Sequence, residues 1–181
     1  MLLNSHKVEL GWQAPDFSLA DATGKRYTLG QLQGEKGLVV AFICNHCPYV
    51  KDIIVRLVND AKKLQSQGIN FVAINSNDYR YVPEDSPKMM DKFARQHDFI
   101  FPYLVDSDQT VAKDFDAVCT PDFFGLNHLG ELQYRGRLDD LKFSAAGQAH
   151  PELVNAMSQI AQTGRGPNTQ NPSIGCSIKW A

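Results

Sequence analysis

The stretch 37-GLVVAFIC-44 is a continuous apolar run, and shortly after it the spacing of the apolar positions changes. An uninterrupted run of this length bounded by a glycine reads as a strand buried on both faces. From Val50 onward, Val50, Ile53, Ile54, Leu57, Val58, Ala61 and Leu64 recur at intervals of three and four, which is one face of a helix. Pro48 suits the first turn of that helix, where a missing N–H costs nothing, and Gly68 marks its end. A buried strand that passes through Cys47-Pro48 straight into an amphipathic helix commits the chain to an α/β architecture, with a cysteine at the helix N-terminus.

The same alternation continues. Residues 69-INFVAIN-75 read as a second buried strand, 86-SPKMMDKFARQHDF-99 as a helix, 102-PYLVD-106 as a short strand and 108-DQTVAKDFDA-117 as a helix capped by Asp108. Two further strands, 123–127 and 131–138, flank a turn at His128-Leu129-Gly130, and a last helix covers 150–163. Strand–helix alternation followed by a hairpin and a closing helix predicts a mixed sheet, mostly parallel in its first part, with helices on both faces. From Gly164 the composition is that of a linker, but Ile174 to Trp180 is too apolar for a free tail. Residues 164–181 are therefore expected to fold back on a single domain spanning 1–181.

That domain count fits 181 residues. A net charge of −2 with scattered basic residues leaves no footprint for nucleic acid or an anionic membrane. No apolar run reaches the roughly 18 residues that cross a bilayer. The opening, MLLNSHKVELGWQAPDF, lacks the basic start and apolar stretch of a secretory signal. Four cysteines are too few for a disulfide scaffold and read as catalytic, metal-binding or buried thiols in a reducing compartment. The expectation is a cytoplasmic protein.

At the N-cap of a helix, unpaired N–H groups and the helix dipole favour an anion. A thiolate is such an anion, so Cys47 is expected to ionise below the roughly 8.5 of a free thiol. His46, adjacent, and Lys51, one turn on, are candidate sources of further positive charge.

Several segments carry a family likeness. The entry 11-GWQAPDFSLADATGKRYTLGQLQGEKGLVVAF-42, the segment 45-NHCPYVK-51, the loop 119-CTPDFF-124 and the closing pieces 134-YRGRLDD-140 and 175-GCSIKW-180 together resemble the thioredoxin-fold redoxins, in the AhpC/TSA and peroxiredoxin-like branch. The likeness covers about residues 11–180. It implies a thioredoxin-like fold with an N-terminal β-hairpin extension, formed by an Ala-Pro-Asp-Phe strand and a turn around Asp21 and Gly24. It also implies that Pro121 is the cis-proline facing the reactive sulfur. Thr120 then offers its main chain to an extended disulfide substrate, with His46 and Pro48 beside the same groove.

Against that family the chain departs at instructive positions. Cys47 falls where thioredoxins carry the attacking cysteine of Cys-Gly-Pro-Cys, but their second cysteine falls at Val50. The acid they bury one residue before the matching phenylalanine is Ala41 here. Peroxiredoxins place a Thr three residues before the peroxide-attacking Cys; this chain has Cys44. Arg135 and Arg137 are the candidates for the arginine that peroxide activation needs. Three thiols remain as partners for Cys47. Cys44 is close enough only if the chain turns at Asn45, because three extended residues span about 10 Å and a disulfide holds Cα atoms within about 7 Å. Cys119 lies two residues before Pro121. Cys44 and Cys119 rank ahead of Cys176, which reads first as a structural thiol.

The leading expectation is a thiol–disulfide oxidoreductase in which Cys47 attacks a disulfide and Cys119 or Cys44 resolves the mixed disulfide. It needs no cofactor; its partners are a protein or small-molecule disulfide and a thiol reductant. A second reading is a thiol peroxidase that reduces hydroperoxides through a Cys47 sulfenic acid, an antioxidant role. A third uses Cys44, His46 and Cys47 as soft ligands for Cu(I) or Zn(II). A fourth is a redox-inert binding module. Asp139-Asp140 reads as a structural acid pair, and the acidic insert 77-NDYRYVPEDSP-87 as a candidate wall of the groove.

Overall fold

The computed structural model describes every residue except Val8. The chain opens with β1 (Leu2–Asn4), β2 (Ser18–Asp21), β3 (Arg26–Thr28) and a short helix, α1 (Leu29–Leu32). Next come β4 (Gly37–Phe42), α2 (Pro48–Gln65), β5 (Ile69–Asn75), α3 (Pro87–Gln96), β6 (Tyr103–Val105) and α4 (Thr110–Asp114). The last part holds β7 (Cys119–Thr120), β8 (Asp122–Leu126), β9 (Leu132–Gly136), α5 (Glu152–Thr163) and β10 (Ile174–Ser177).

One sheet runs in the order β3-β2-β6-β5-β4-β8-β9. Strands β4, β5 and β6 are parallel, and the pairs on either side are antiparallel. The central strand shows why its sequence has no polar position. Val39 and Ala41 pack into a layer with α2, α3 and α5, while Leu38, Val40 and Phe42 pack on the other side with α1 and α4. Covered on both faces, β4 has no use for a polar side chain.

Helix α2 buries Val50, Ile54, Leu57, Val58, Ala61 and Leu64 against the first layer. Each large aliphatic side chain so placed stabilises the fold by roughly 1.5–3 kcal/mol. Lys62 and Lys63 sit in its last turn, where cations suit the dipole, and the chain leaves through Gly68 at φ 78°.

Three expectations need correction. The Ala14–Phe17 segment is not a strand: Pro15 has no N–H to pair, and the Asp16 carboxylate accepts the Phe17 N–H at 2.9 Å. Pairing starts at Ser18, and the hairpin turn is tied by Asp21, which accepts from the Thr23 and Lys25 N–H groups at 2.9 and 3.1 Å. The helix read as 86–99 ends at Gln96, because Asp98 turns left-handed at φ 54°. The helix read as 108–117 is only Thr110–Asp114, with Gln109 at its N-cap. A left-handed turn at Gln109 sets the fully buried Asp106 carboxylate beneath the helix, where it accepts from Val111 and Ala112 at 3.2 and 3.0 Å. Asp108 takes only the Thr110 N–H, at 3.0 Å.

A second, three-stranded antiparallel sheet has the order β1-β10-β7. It brings the chain's two ends together over the cis-proline loop, with Leu2 opposite Cys176 and Cys176 opposite Thr120. Beyond β10 the tail stays attached. Ile178 donates to Val118 O at 3.0 Å and is buried, and Gln109 Nε2 donates to Lys179 O at 2.8 Å. Among the described residues no helix is long and apolar enough to cross a membrane.

Candidate active site

The ladder of β4 ends at Phe42; Ile43 still donates to Ile74 O at 3.0 Å, and the chain then turns through Cys44-Asn45-His46 into α2. Cys47 is the N-cap of α2 and Pro48 its first residue, so the thiol sits where the helix leaves N–H groups unpaired. Its ionisation is lowered from the ordinary thiol value to about 4. The largest cause is the neighbouring Cys44 thiol, which overcomes the upward push of burial; the Cys176 thiol and the N–H groups of Cys176 and Val50 add to it. Burial pushes Cys44 in the opposite direction, well above the ordinary thiol value, and the Cys47 and Asp85 charges reinforce this. Burial and the mutual influence of the two thiols thus leave them displaced in opposite directions, Cys47 down and Cys44 up.

The Thr120–Pro121 peptide bond is cis, and Thr120 bridges both thiols. Its hydroxyl lies 3.3 Å from Cys44 Sγ, and its carbonyl oxygen lies 3.4 Å from Cys47 Sγ, a contact that is a hydrogen bond only while that thiol is protonated. Cys44, Cys47 and Cys119 are all fully buried, and Cys176 is the one half-exposed thiol among the four cysteines. Beside Pro121, a cavity of about 260 Å³ is bordered by Tyr49, Ile53, Leu138 and Phe143, with the Tyr49 and Phe143 rings stacked 4.6 Å apart.

The remaining thiols change places relative to the sequence reading. Neighbouring residues of a strand face opposite sides. Thr120 faces Cys44, so Cys119 faces away, with its thiol on Pro121 O at 4.0 Å and its ionisation raised by burial and by Asp122. Cys176, directly opposite Thr120 in the antiparallel pair, shares the Thr120 side and packs against the layer that holds Cys44 and Cys47. Cys176 rather than Cys119 therefore stands beside Cys47.

The sequence reading gave no role to Asp85. It comes from the short helical turn Pro83–Asp85 within the insert after β5, and its side chain is fully buried. It accepts from the Asn45 N–H at 2.6 Å, from Asn77 Nδ2 at 2.9 Å and from Asn75 Nδ2 at 3.2 Å, and it pairs with His46 Nδ1 at 2.5 Å. Burial pushes its carboxyl up, but His46, Asn77 and the Asn45 N–H outweigh that and hold it below the usual carboxylate range. Tyr103 closes the network by donating to Asn45 Oδ1 at 2.8 Å. These bonds fix the turn at Asn45 that brings Cys44 to Cys47. The signal was present in the insert's position after a strand's C-terminal end, but nothing local singled out Asp85 within it.

His46 thus directs Nδ1 at Asp85. Among the described residues, the donors that converge within 4.8 Å are Cys44, His46 and Asp85, a different set from the Cys44, His46 and Cys47 expected for Cu(I) or Zn(II). The two arginines considered for peroxide activation are engaged elsewhere. Arg135 is buried, donating from Nη2 to Asp122 Oδ2 at 2.8 Å and to Asp116 O at 2.7 Å; Arg137 makes a two-point pair with Glu152 at 2.7 and 2.8 Å. Asp139, paired with Arg56 at 2.7 Å, and Asp140, which accepts the His150 N–H at 2.7 Å, are structural.

This arrangement can be set beside known proteins. The AhpC/TSA family profile matches residues 10–135. The thiol-disulfide oxidoreductase ResA of Bacillus subtilis (strain 168) is 30% identical over 125 residues, which is 69% of this chain and 65% of that protein. The match thus spans just under two thirds of that relative's length. Among solved structures, an uncharacterized conserved protein from Geobacillus kaustophilus superposes with a TM-score of 0.95 at 41% identity, over 100% of this chain and 97% of that one. A putative protein disulfide isomerase from Bacteroides thetaiotaomicron shares the fold, with a TM-score of 0.68 at 18% identity over 89% and 95% of the two chains. With a helix-capping cysteine facing a cis-proline on a mixed sheet, and with the family profile matched from the first hairpin to β9, the chain belongs to the AhpC/TSA family and has a thioredoxin-like fold.

Proposed function

We propose that this protein is a thiol–disulfide oxidoreductase whose attacking group is the Cys47 thiolate. The observation that carries the reading is the place of Cys47, at the N-cap of α2 against the cis Thr120–Pro121 loop, and the lowering of Cys47 with the raising of Cys44 agrees with it. A low-pKa thiolate is both available as nucleophile and good as leaving group, which thiol–disulfide exchange requires in turn. The name of the ResA relative supports the same reaction class. The substrate is then a protein or small-molecule disulfide, and a thiol reductant restores the enzyme. Four free thiols suit a reducing compartment, and we place the protein in the cytoplasm on that ground.

The peroxidase reading loses support. Position 44 is a thiol instead of a hydroxyl donor, and both candidate arginines pair with carboxylates. The metal reading draws on a donor set in which His46 and Asp85 already satisfy each other.

The test is reduction of insulin disulfides by the protein in the presence of dithiothreitol, alongside oxidation of the reduced protein by hydrogen peroxide. Turnover that disappears in Cys47→Ser, with a peroxide rate no faster than that of a free thiol, is the expected pair of results. Full turnover in Cys47→Ser removes the assignment, and fast peroxide oxidation at Cys47 moves it to the peroxidase class.

A further inference from the structure

The buried position of Cys47 raises a problem for any exchange reaction: the thiolate is fully covered. One side is closed by Cys44 and the Thr120 main chain, and the body of α2 lies beneath. The remaining cover is β10. Its Cys176 is opposite Thr120, packs on the layer containing Cys44 and Cys47, and is half-exposed, so it alone of the neighbouring thiols meets both Cys47 and solvent.

The approach of β10 is close by construction. A Cβ on Gly175 would stand 1.9 Å from the Thr120 carbonyl oxygen and 3.1 Å from Pro121 Cδ, so no larger residue permits this contact. Strand β1 holds β10 from its other edge, with Leu3 opposite Gly175 and Ser177 N–H donating to Met1 O at 2.8 Å. Ile178 N–H on Val118 O at 3.0 Å fixes the next step of the chain. Cys176 is thus delivered by main-chain pairing to a defined place, and it is not a thiol on a loose tail.

Resting on the reading of Cys47 as attacking thiolate, we propose that Cys176 is the resolving cysteine, and that β10 is a tethered segment that yields to an incoming disulfide and returns to displace it. In the first step the Cys47 thiolate attacks a substrate disulfide R–S–S–R′. A Cys47–S–S–R bond forms, the R–S–S–R′ bond breaks, and R′S⁻ leaves and takes up a proton. Cys176 then gives up its proton to solvent, and its thiolate attacks Cys47 Sγ. The Cys47–Cys176 disulfide forms and RS⁻ is expelled. The substrate disulfide gains two electrons and the protein loses two. A dithiol reductant then breaks the Cys47–Cys176 disulfide by two exchanges, restoring both thiols and leaving as its own disulfide. The Lys179 ammonium eases the ionisation of Cys176, against burial and the neighbouring Cys47, which together raise it to about 11.

The test mixes reduced full-length protein with one equivalent of dithiodipyridine, follows pyridinethione release, and maps the linkage after acid quench and alkylation. In the unaltered protein both pyridinethiones are released and the linkage is Cys47–Cys176. In Cys176→Ser the first is still released, and the second follows at least about tenfold more slowly than in the unaltered protein, with a pyridyl adduct on Cys47. Cys176→Ala serves as the second variant, and Cys119→Ser should release both as the unaltered protein does. A Cys44–Cys47 linkage in the unaltered protein, or prompt release of both equivalents from Cys176→Ser and Cys176→Ala, overturns the assignment while leaving Cys47 as the attacker. An adduct on Cys176 with none on Cys47 in any form overturns the attack by Cys47, and the role given to Cys176 with it.

Discussion

Replacing Gly175 by alanine puts the role of β10 to a quantitative test. The added Cβ would sit 1.9 Å from Thr120 O and 2.6 Å from its carbonyl carbon, both main-chain atoms that no rotamer change can move. A carbon and an oxygen in ordinary contact lie about 3.3 Å apart. Strand β10 must therefore retreat from β7 by about 1.4 Å, enough to break main-chain bonds of about 2.9 Å. Each bond lost costs about 0.5–1.5 kcal/mol, and overpacking a tight contact costs about 1–3 kcal/mol. Taking about 3 kcal/mol as the loss in docking, the undocked population rises about a hundredfold, since every 1.4 kcal/mol is a factor of ten.

The consequence is read at Cys47, which is fully covered while β10 is in place. At a pH of about 6 it is a thiolate, whereas ordinary thiols near 8.5 are protonated, so iodoacetamide selects it. The modification rate of Cys47 in Gly175→Ala should rise by about a hundredfold and by no less than about tenfold, while amides of β4 and β5 keep their protection against hydrogen exchange. An unchanged rate in a protein whose central sheet stays protected would refute the claim that β10 is what covers the thiolate.

Three further perturbations follow from the same contacts. Cys44→Ala removes the largest cause of the low Cys47 value, so the midpoint of the thiolate's ultraviolet absorbance should move up by about one unit or more; an unmoved midpoint would assign the effect to the helix N-terminus and Cys176. Asp85→Asn takes the charged acceptor from the Asn45 N–H and from His46, and should lower stability to urea by about 1–3 kcal/mol while easing ionisation of Cys44, read from its alkylation profile against pH. Arg135→Met strands the buried Asp122 carboxyl, which burial already raises to about 6 despite Arg135. Because that folded value lies above the roughly 3.9 of the unfolded chain, Asp122 favours folding below about pH 4 and loses that contribution as pH rises through its folded value. The variant should therefore lose about 3–5 kcal/mol at neutral pH and distinctly less near pH 4, and equal losses at both would show that packing against Phe124 is what Arg135 supplies.

How much of this was legible in the chain depends on distance along it. β4, α2 and the thiol between them could be read because their signals are local: a run with no polar residue, a change of apolar period, and a proline that fits only a first turn. The cis-proline loop needed the family resemblance, since Thr120-Pro121 has no local mark of its own. Asp108 caps only the first N–H of α4, and the share that Asp106 takes was hidden, because a left-handed turn at Gln109 carries it under the helix and nothing in the composition of 106–110 announces it. The pairing of β10 with β7 lay further out of reach. It joins Cys176 to Thr120 across most of the C-terminal half, after a stretch whose Gly, Pro and Asn content reads as linker.

The two departures from the thioredoxin pattern at Ala41 and Val50 looked like losses when read in place. The fold shows both kinds of group supplied from elsewhere. A buried carboxylate stands by the thiol pair, but it is Asp85, carried in by the insert after β5 and held by Asn45, Asn75, Asn77 and His46. A partner thiol also stands beside Cys47, but it is Cys176, carried in by the C-terminal strand. Only the helix N-terminus and the proline loop, whose geometry the main chain itself must form, remain where the family pattern puts them. Carboxylates and thiols act through the position of one or two atoms, so any segment that reaches the site can deliver them. The site's chemistry is therefore more portable along the chain than its backbone frame.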